Sequence, residues 1–194
     1  MSTGAYGARI SRSGGASTTR LGRYELRVTA PSAAEVVASA GGWLVDRAMA
    51  GWNVSVVLTG DQDPEPLRIL GVDTRSSGDD GDGDGPLRSQ SIAVSSTAIA
   101  LDDTLRGDVA RAVRRGVAEV TVWGDAGRDL VPGLSPVEHV LSSAARAFKA
   151  RALHAAGLPD VVEPVEFFAG RTSAVLSGYS DLTPASVAMP LAQR

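Results

Sequence analysis

Two stretches of the chain, 24–58 and 91–123, each read as strand, amphipathic helix and strand, and this order constrains the fold more than any other feature. In the first, Tyr24-Glu25-Leu26-Arg27-Val28 alternates apolar and polar residues, the period of a half-buried strand. Pro31 ends it. Ser32 and Glu35 stand three apart ahead of an apolar run, the spacing of a capping box whose hydroxyl and carboxylate satisfy orphan N–H groups at a helix start. The helix then carries Val36, Val37, Ala40, Trp43, Leu44 and Ala48 on one side and Glu35, Ser39, Gly42 and Asp46 on the other, and Gly51 stops it. Val54 to Leu58 is short, branched and apolar, as a buried strand should be.

The second stretch opens with Ser91 to Leu101, rich in Ile, Val, Ser and Thr, and predicts one long strand with a bulge. Asp102 or Asp103 caps a helix with Leu105, Val109, Ala112 and Val113 in one stripe, and Gly116 closes it after Arg114-Arg115. Val117 to Trp123 reads as a strand with Glu119 and Thr121 pointing outward. A strand–helix–strand unit of this length joins parallel strands by a right-handed crossover. The expected fold is therefore α/β: a mixed, mostly parallel sheet of four to five strands with three helices packed on it.

Three further segments complete the prediction. Leu67 to Val72 reads as a strand antiparallel to the one ending at Leu58, because the connection is short. Ser135-Pro136-Val137-Glu138 combines a cap hydroxyl, a proline at the first helical position and a reciprocal glutamate, and so predicts a helix running to Gly157 with His139 in its first turn and His154 near its end. Val161 to Phe168 reads as a last strand, held to a sheet edge by Pro164. Domain organisation follows: a disordered basic tail over 1–20, a single α/β domain over 21–169 with a flexible acidic Gly/Asp loop at 73–89, and a weakly ordered C-terminal tail over 170–194 with a short helical turn after Thr183-Pro184.

Composition mostly excludes. No Cys is present, so disulfides, thiolate metal sites and cysteine nucleophiles are absent. There are two histidines, and Lys149 is the only lysine among 19 basic residues, an arginine bias that codon usage explains without a binding site. Net charge is −3, which neither demands nor forbids nucleic acid. No apolar run reaches the ~18 residues of a spanning helix. The phosphate-cradling G-x-x-x-x-G-K-[ST] sequence, the dinucleotide fingerprint and the G-x-S-x-G elbow are all missing. Asp80-Gly81-Asp82-Gly83-Asp84-Gly85 matches the first half of a calcium loop, but Ser91 stands where the bidentate glutamate belongs.

Three functional readings emerge. The leading one is a small cytoplasmic module without a catalytic motif, which binds a protein partner or itself through Gly41, Gly42, Trp43 and Trp52, and needs no cofactor. Paired glycines inside a helix cost about 1 kcal/mol each relative to alanine, which points to close approach of another element. The alternative rests on aspartates that follow strands: Asp61, Asp102, Asp103 and Asp125 would hold Mg²⁺ in a hydrolase or phosphotransfer enzyme. The third, weakest reading is non-specific nucleic-acid contact through Arg111, Arg114 and Arg115, which share one helix face. No membrane partner is expected.

Overall fold

A computed structural model describes residues 24–60, 63–75, 90–124, 127–172, 178 and 180–185. The order of elements is β1 (Glu25–Ala30), α1 (Ala33–Met49), β2 (Asn53–Leu58), α2 (Glu65–Ile69), β3 (Asp73–Arg75), β4 (Ser91–Ser95), α3 (Ser96–Leu101), α4 (Asp103–Arg115), β5 (Glu119–Trp123), α5 (Gly127–Leu130), β6 (Ser135–Val140), α6 (Ser143–Ala155), β7 (Val165–Arg171) and β8 (Thr183–Pro184). The strands form one mixed sheet in the order β3-β2-β1-β4-β5-β7-β6-β8. From β3 to β5 the pairing is parallel. β7 is antiparallel to β5 and β6, and β8 is antiparallel to β6. The α/β class and the mostly parallel sheet agree with the sequence, but strands and helices are more numerous than the four to five and three expected.

Helices cover both faces. α1, α2 and α6 pack together on one side, and α3 packs with α4 and α5 on the other. Strand alternation divides the core accordingly. Ile92, Val94, Val120 and Val122 face α3 and α4, while Ala93 and Trp123 face the α1 layer with Leu26, Val28, Trp43 and Phe168. Both faces of β4 and β5 are therefore covered, and every residue of these two strands is buried. Glu119 and Thr121 do not point outward as expected: each is 0% exposed beneath the α1 layer.

Five local predictions change. The 67–72 segment is not a strand; α2 begins behind Pro64, Leu67 and Leu70 turn into the core, and the crossover makes β3 parallel to β2. The long strand at 91–101 stops at Ser95, whose hydroxyl accepts from Thr97 N at 3.0 Å and Ala98 N at 3.4 Å and starts α3. Ser135 to Glu138 is strand β6 rather than a helix start, because this segment lies between β7 and β8 and pairs with both. The helix begins seven residues later, where the Ser142 hydroxyl accepts from Ala145 N at 3.0 Å. Finally, β7 is interior, since Pro164 precedes it and leaves its ladder intact, and Thr183-Pro184 forms an edge strand rather than a helical turn. Residues 1–20 and the calcium-loop-like run at 80–85 lie outside the described residues. Among those described, no helix is long and apolar enough to cross a membrane.

Candidate active site

The chain leaves β1 toward β2 and β3 on one side, then returns to place β4 and β5 on the other. Between the carboxyl ends of β1 and β4 the connections diverge to opposite faces, and such a switch point opens a crevice where ligands of open α/β sheets bind. Three chain segments meet there: the β1–α1 turn Pro31-Ser32, the β4–α3 junction Ser95-Ser96, and Trp123-Gly124 at the end of β5.

Ser32 caps α1 as its sequence predicts, accepting from Glu35 N at 3.1 Å. The reciprocal half of the box takes another course. The Glu35 carboxylate reaches across the crevice, where Oε1 accepts from Ser95 Oγ and, at 3.2 Å, from Trp123 Nε1. Ser95 and Trp123 are buried and Glu35 is half-buried, so the carboxylate bridges β4 and β5 from the first turn of α1. Both donors converge on one oxygen. Gly124 turns the chain at φ +96°, and a Cβ there would collide with Ser96 Oγ, so only glycine lets β5 end this close to β4.

About one helical turn beyond Glu35 a second space opens. Ala38 and Ser39, three and four residues on, line a cavity of about 440 Å³ with Lys149, Leu153, Leu158, Val165 and Glu166. At its base Lys149 Nζ donates to Glu166 Oε1 at 2.6 Å and to the Ala38 carbonyl at 2.7 Å, while Glu166 accepts from Gly42 N at 2.9 Å and Trp43 N at 2.8 Å. The ion pair thus engages both Ala38 C=O and Gly42 N–H, which are bonding partners in a regular helix.

The residues singled out from sequence fall in several places. Gly41, Gly42 and Trp43 are buried within the fold. Gly42 lies against Leu141, and Trp43 packs on Phe168 at 5.2 Å between ring centroids. Trp52 is half-buried, stacked on Tyr24 at 5.0 Å. Asp102 caps α4, accepting from Thr104 N at 2.8 Å and Leu105 N at 3.0 Å, and Asp103 pairs with Arg106 at 2.5 Å. Asp61 and Asp125 lie outside the described residues. Arg111, Arg114 and Arg115 are exposed on α4, with Arg111 paired to Asp108 at 2.7 Å. His139, expected on the surface of a helix, is a buried strand residue.

Sequence reasoning read Glu35 only as half of a capping box and Ser95 as mid-strand, and so missed the pair. A carboxylate one turn into the helix that follows β1 was the available signal, because that turn overlooks the switch point. Among the described residues, no three His, Asp or Glu side chains converge to hold a metal ion. One carboxylate with serine hydroxyls is not the three- or four-ligand set that Zn²⁺ requires.

No protein-family model matches the sequence, and no curated protein matches it. Solved structures do. A deacetylase–teicoplanin complex from the teicoplanin biosynthesis pathway is 13% identical, with a TM-score of 0.50 over 77% of this chain and 98% of that one. A zinc-inhibited form of teicoplanin deacetylase is 14% identical, with a TM-score of 0.45 over 67% and 82%. The A40926 pseudoaglycone deacetylase is 16% identical, with a TM-score of 0.45 over 68% and 80%. At these identities the likeness is one of fold. The leading expectation of a non-catalytic interaction module is corrected by the likeness at TM-score 0.50, since that neighbour is a deacetylase. The proposed contact residues Gly41, Gly42 and Trp43 are, moreover, interior.

Proposed function

We propose that the chain is a hydrolase that removes an acyl group from an amine at the switch-point crevice, with Glu35 as its general base. The observation that supports this reading is the placement of Glu35, whose Oε1 is held by Ser95 and Trp123 while Oε2 has no described donor. A base fixed through one oxygen presents the other to a water molecule without losing rotamer entropy at the moment of reaction. Water oxygen attacks the amide carbonyl carbon, its proton passes to Glu35 Oε2, and the C–N bond breaks as that proton moves to the departing nitrogen. The products are a carboxylic acid and a free amine. The shared fold with a deacetylase supports the same reaction class by analogy. The described residues do not suit zinc, and no step is routed through it.

The test is release of free amine from a panel of N-acetyl and longer N-acyl amines, followed with an amine-reactive fluorophore. Glu35→Gln keeps both donors' partner oxygen and should lower the rate about 10²- to 10⁴-fold. Release of no amine from any substrate, or full activity in Glu35→Gln, would refute the assignment.

A second reading gives the reaction a divalent cation, favoured by the sequence position of Asp125 two residues beyond Trp123, whose indole already holds Glu35. Asp61 and Asp125 would then supply oxygen ligands to Mg²⁺, which keeps most of its waters. A rise in melting temperature with Mg²⁺ that vanishes in Asp125→Ala would support it. No rise would dismiss it.

A further inference from the structure

At the end of the sheet remote from the crevice, residues 180–185 lie against α1 and β6 and are held by core burial, strand pairing, hydrogen bonds and an ion pair. Leu182 is buried in the core, Thr183 and Pro184 pair with β6, and Ala185 N donates to Pro136 O at 3.1 Å. Ser180 Oγ donates to Glu119 Oε1 at 2.6 Å. The Asp181 carboxylate accepts from Arg47 Nε at 2.9 Å and Trp43 Nε1 at 3.1 Å. Arg47 is 1% exposed, bonds Glu119 at 2.8 Å, and lies with Cζ 4.1 Å from the Trp52 ring centre.

His139 closes this arrangement from β6. Its Nε2 lies 2.9 Å from Asp46 Oδ2 and its Nδ1 lies 3.2 Å from the Asp181 carbonyl oxygen. A carboxylate and a carbonyl can only accept, so both ring nitrogens must carry protons for both bonds to exist. A neutral imidazole has one proton and would set a lone pair against one of these oxygens. Two carboxylates face the ring. Asp46 from α1 and Asp181 from the 180–185 segment lie against it; Arg47 is committed to Glu119 and Asp181. Glu166, opposite His139 in the β6–β7 register, is paired to Lys149 of α6.

We propose that residues 180–185 form a pH-dependent latch, closed when His139 is doubly protonated and loosened when it loses one proton. Histidine as a residue type changes charge between about pH 5 and 8, which sets the two conditions of the test.

Native-state hydrogen exchange on the full chain at about pH 5.5 and about pH 8.5, corrected for intrinsic rates, tests this. Protection of the Ala185 amide should fall about tenfold at the higher pH, while the Arg106 amide inside α4 stays unchanged. In His139→Gln, which cannot take the charge, latch protection should not depend on pH. Asp46→Asn offers Nε2 a donor as well as an acceptor, so it should also flatten the response, and it serves if the first variant does not fold. Equal wild-type protection at both pH values, or an undiminished pH response in either variant, would overturn the proposal.

Discussion

Gly41 and Gly42 are neighbours on α1, yet replacing each by alanine should change stability in opposite directions. Alanine in a helix interior is favoured over glycine by about 0.5–1 kcal/mol, mainly because the unfolded chain loses freedom. At position 41 nothing opposes that gain: an added Cβ would sit 3.5 Å from Leu70, 3.6 Å from Lys149 and 3.7 Å from Val37, all ordinary contacts. Gly41→Ala should therefore stabilise by about 0.5–1 kcal/mol, or raise Tm by about 1–4 °C for a domain of this size. At position 42 the same Cβ would meet both Leu141 methyls at 2.5 Å and Cγ at 3.0 Å. Because all three outer carbons collide, relief requires a χ1 change that moves the whole buried side chain out of its packed position. Overpacking of this kind costs about 1–3 kcal/mol, which exceeds the propensity gain. Gly42→Ala should lower Tm by about 2–4 °C. Urea and thermal denaturation of both variants and of Gly42→Ala/Leu141→Ala decide the matter, since the double variant should cost less than the sum of its parts. If both alanines stabilise, or if the double variant is additive, the close packing of α1 on Leu141 is wrong.

The Asp46 carboxyl is held below its ordinary value of 3.8; burial would raise it, but hydrogen bonds from Ser142 and His139 outweigh burial. A lowered folded-state value means that the unfolded chain binds the proton first as pH falls, so this stabilisation is present above the ordinary value and is lost through acidification below it. Asp46→Asn should flatten that part of the acid denaturation profile, as measured by melting temperature against pH. Arg47→Met leaves Glu119 and Asp181 buried or half-buried without their cation, and should destabilise by about 3–5 kcal/mol in urea. Restoring neutrality with Arg47→Met/Glu119→Gln should recover part of it, and no recovery would mean that packing against Trp43 and Trp52 dominates.

The first crossover unit was legible because its signals are local and agree: alternation in β1, the Ser32 hydroxyl at the start of α1, and a one-sided apolar stripe along the helix. The Asp102 cap and the left-handed Gly116 marked both ends of α4 for the same reason. Ser135 to Glu138 misled because a hydroxyl, a proline and a glutamate at capping spacing describe what a free segment prefers, while pairing with β7 and β8 decides what the folded segment does. His139 followed that error into the wrong environment. The site was less visible than the fold, since Glu35, Ser95 and Trp123 are separated by 60 and 88 positions and meet only once β1, β4 and β5 are laid side by side.

Lys149 gives the molecule an experimental property of its own. The chain has a single ε-amine, and that nitrogen is enclosed between α1 and α6 with two acceptors on it. Acylating reagents that decorate the lysines of an ordinary protein would here find that one target shut away. The rate at which it becomes modified would report how often that enclosure opens, without any label having to be introduced.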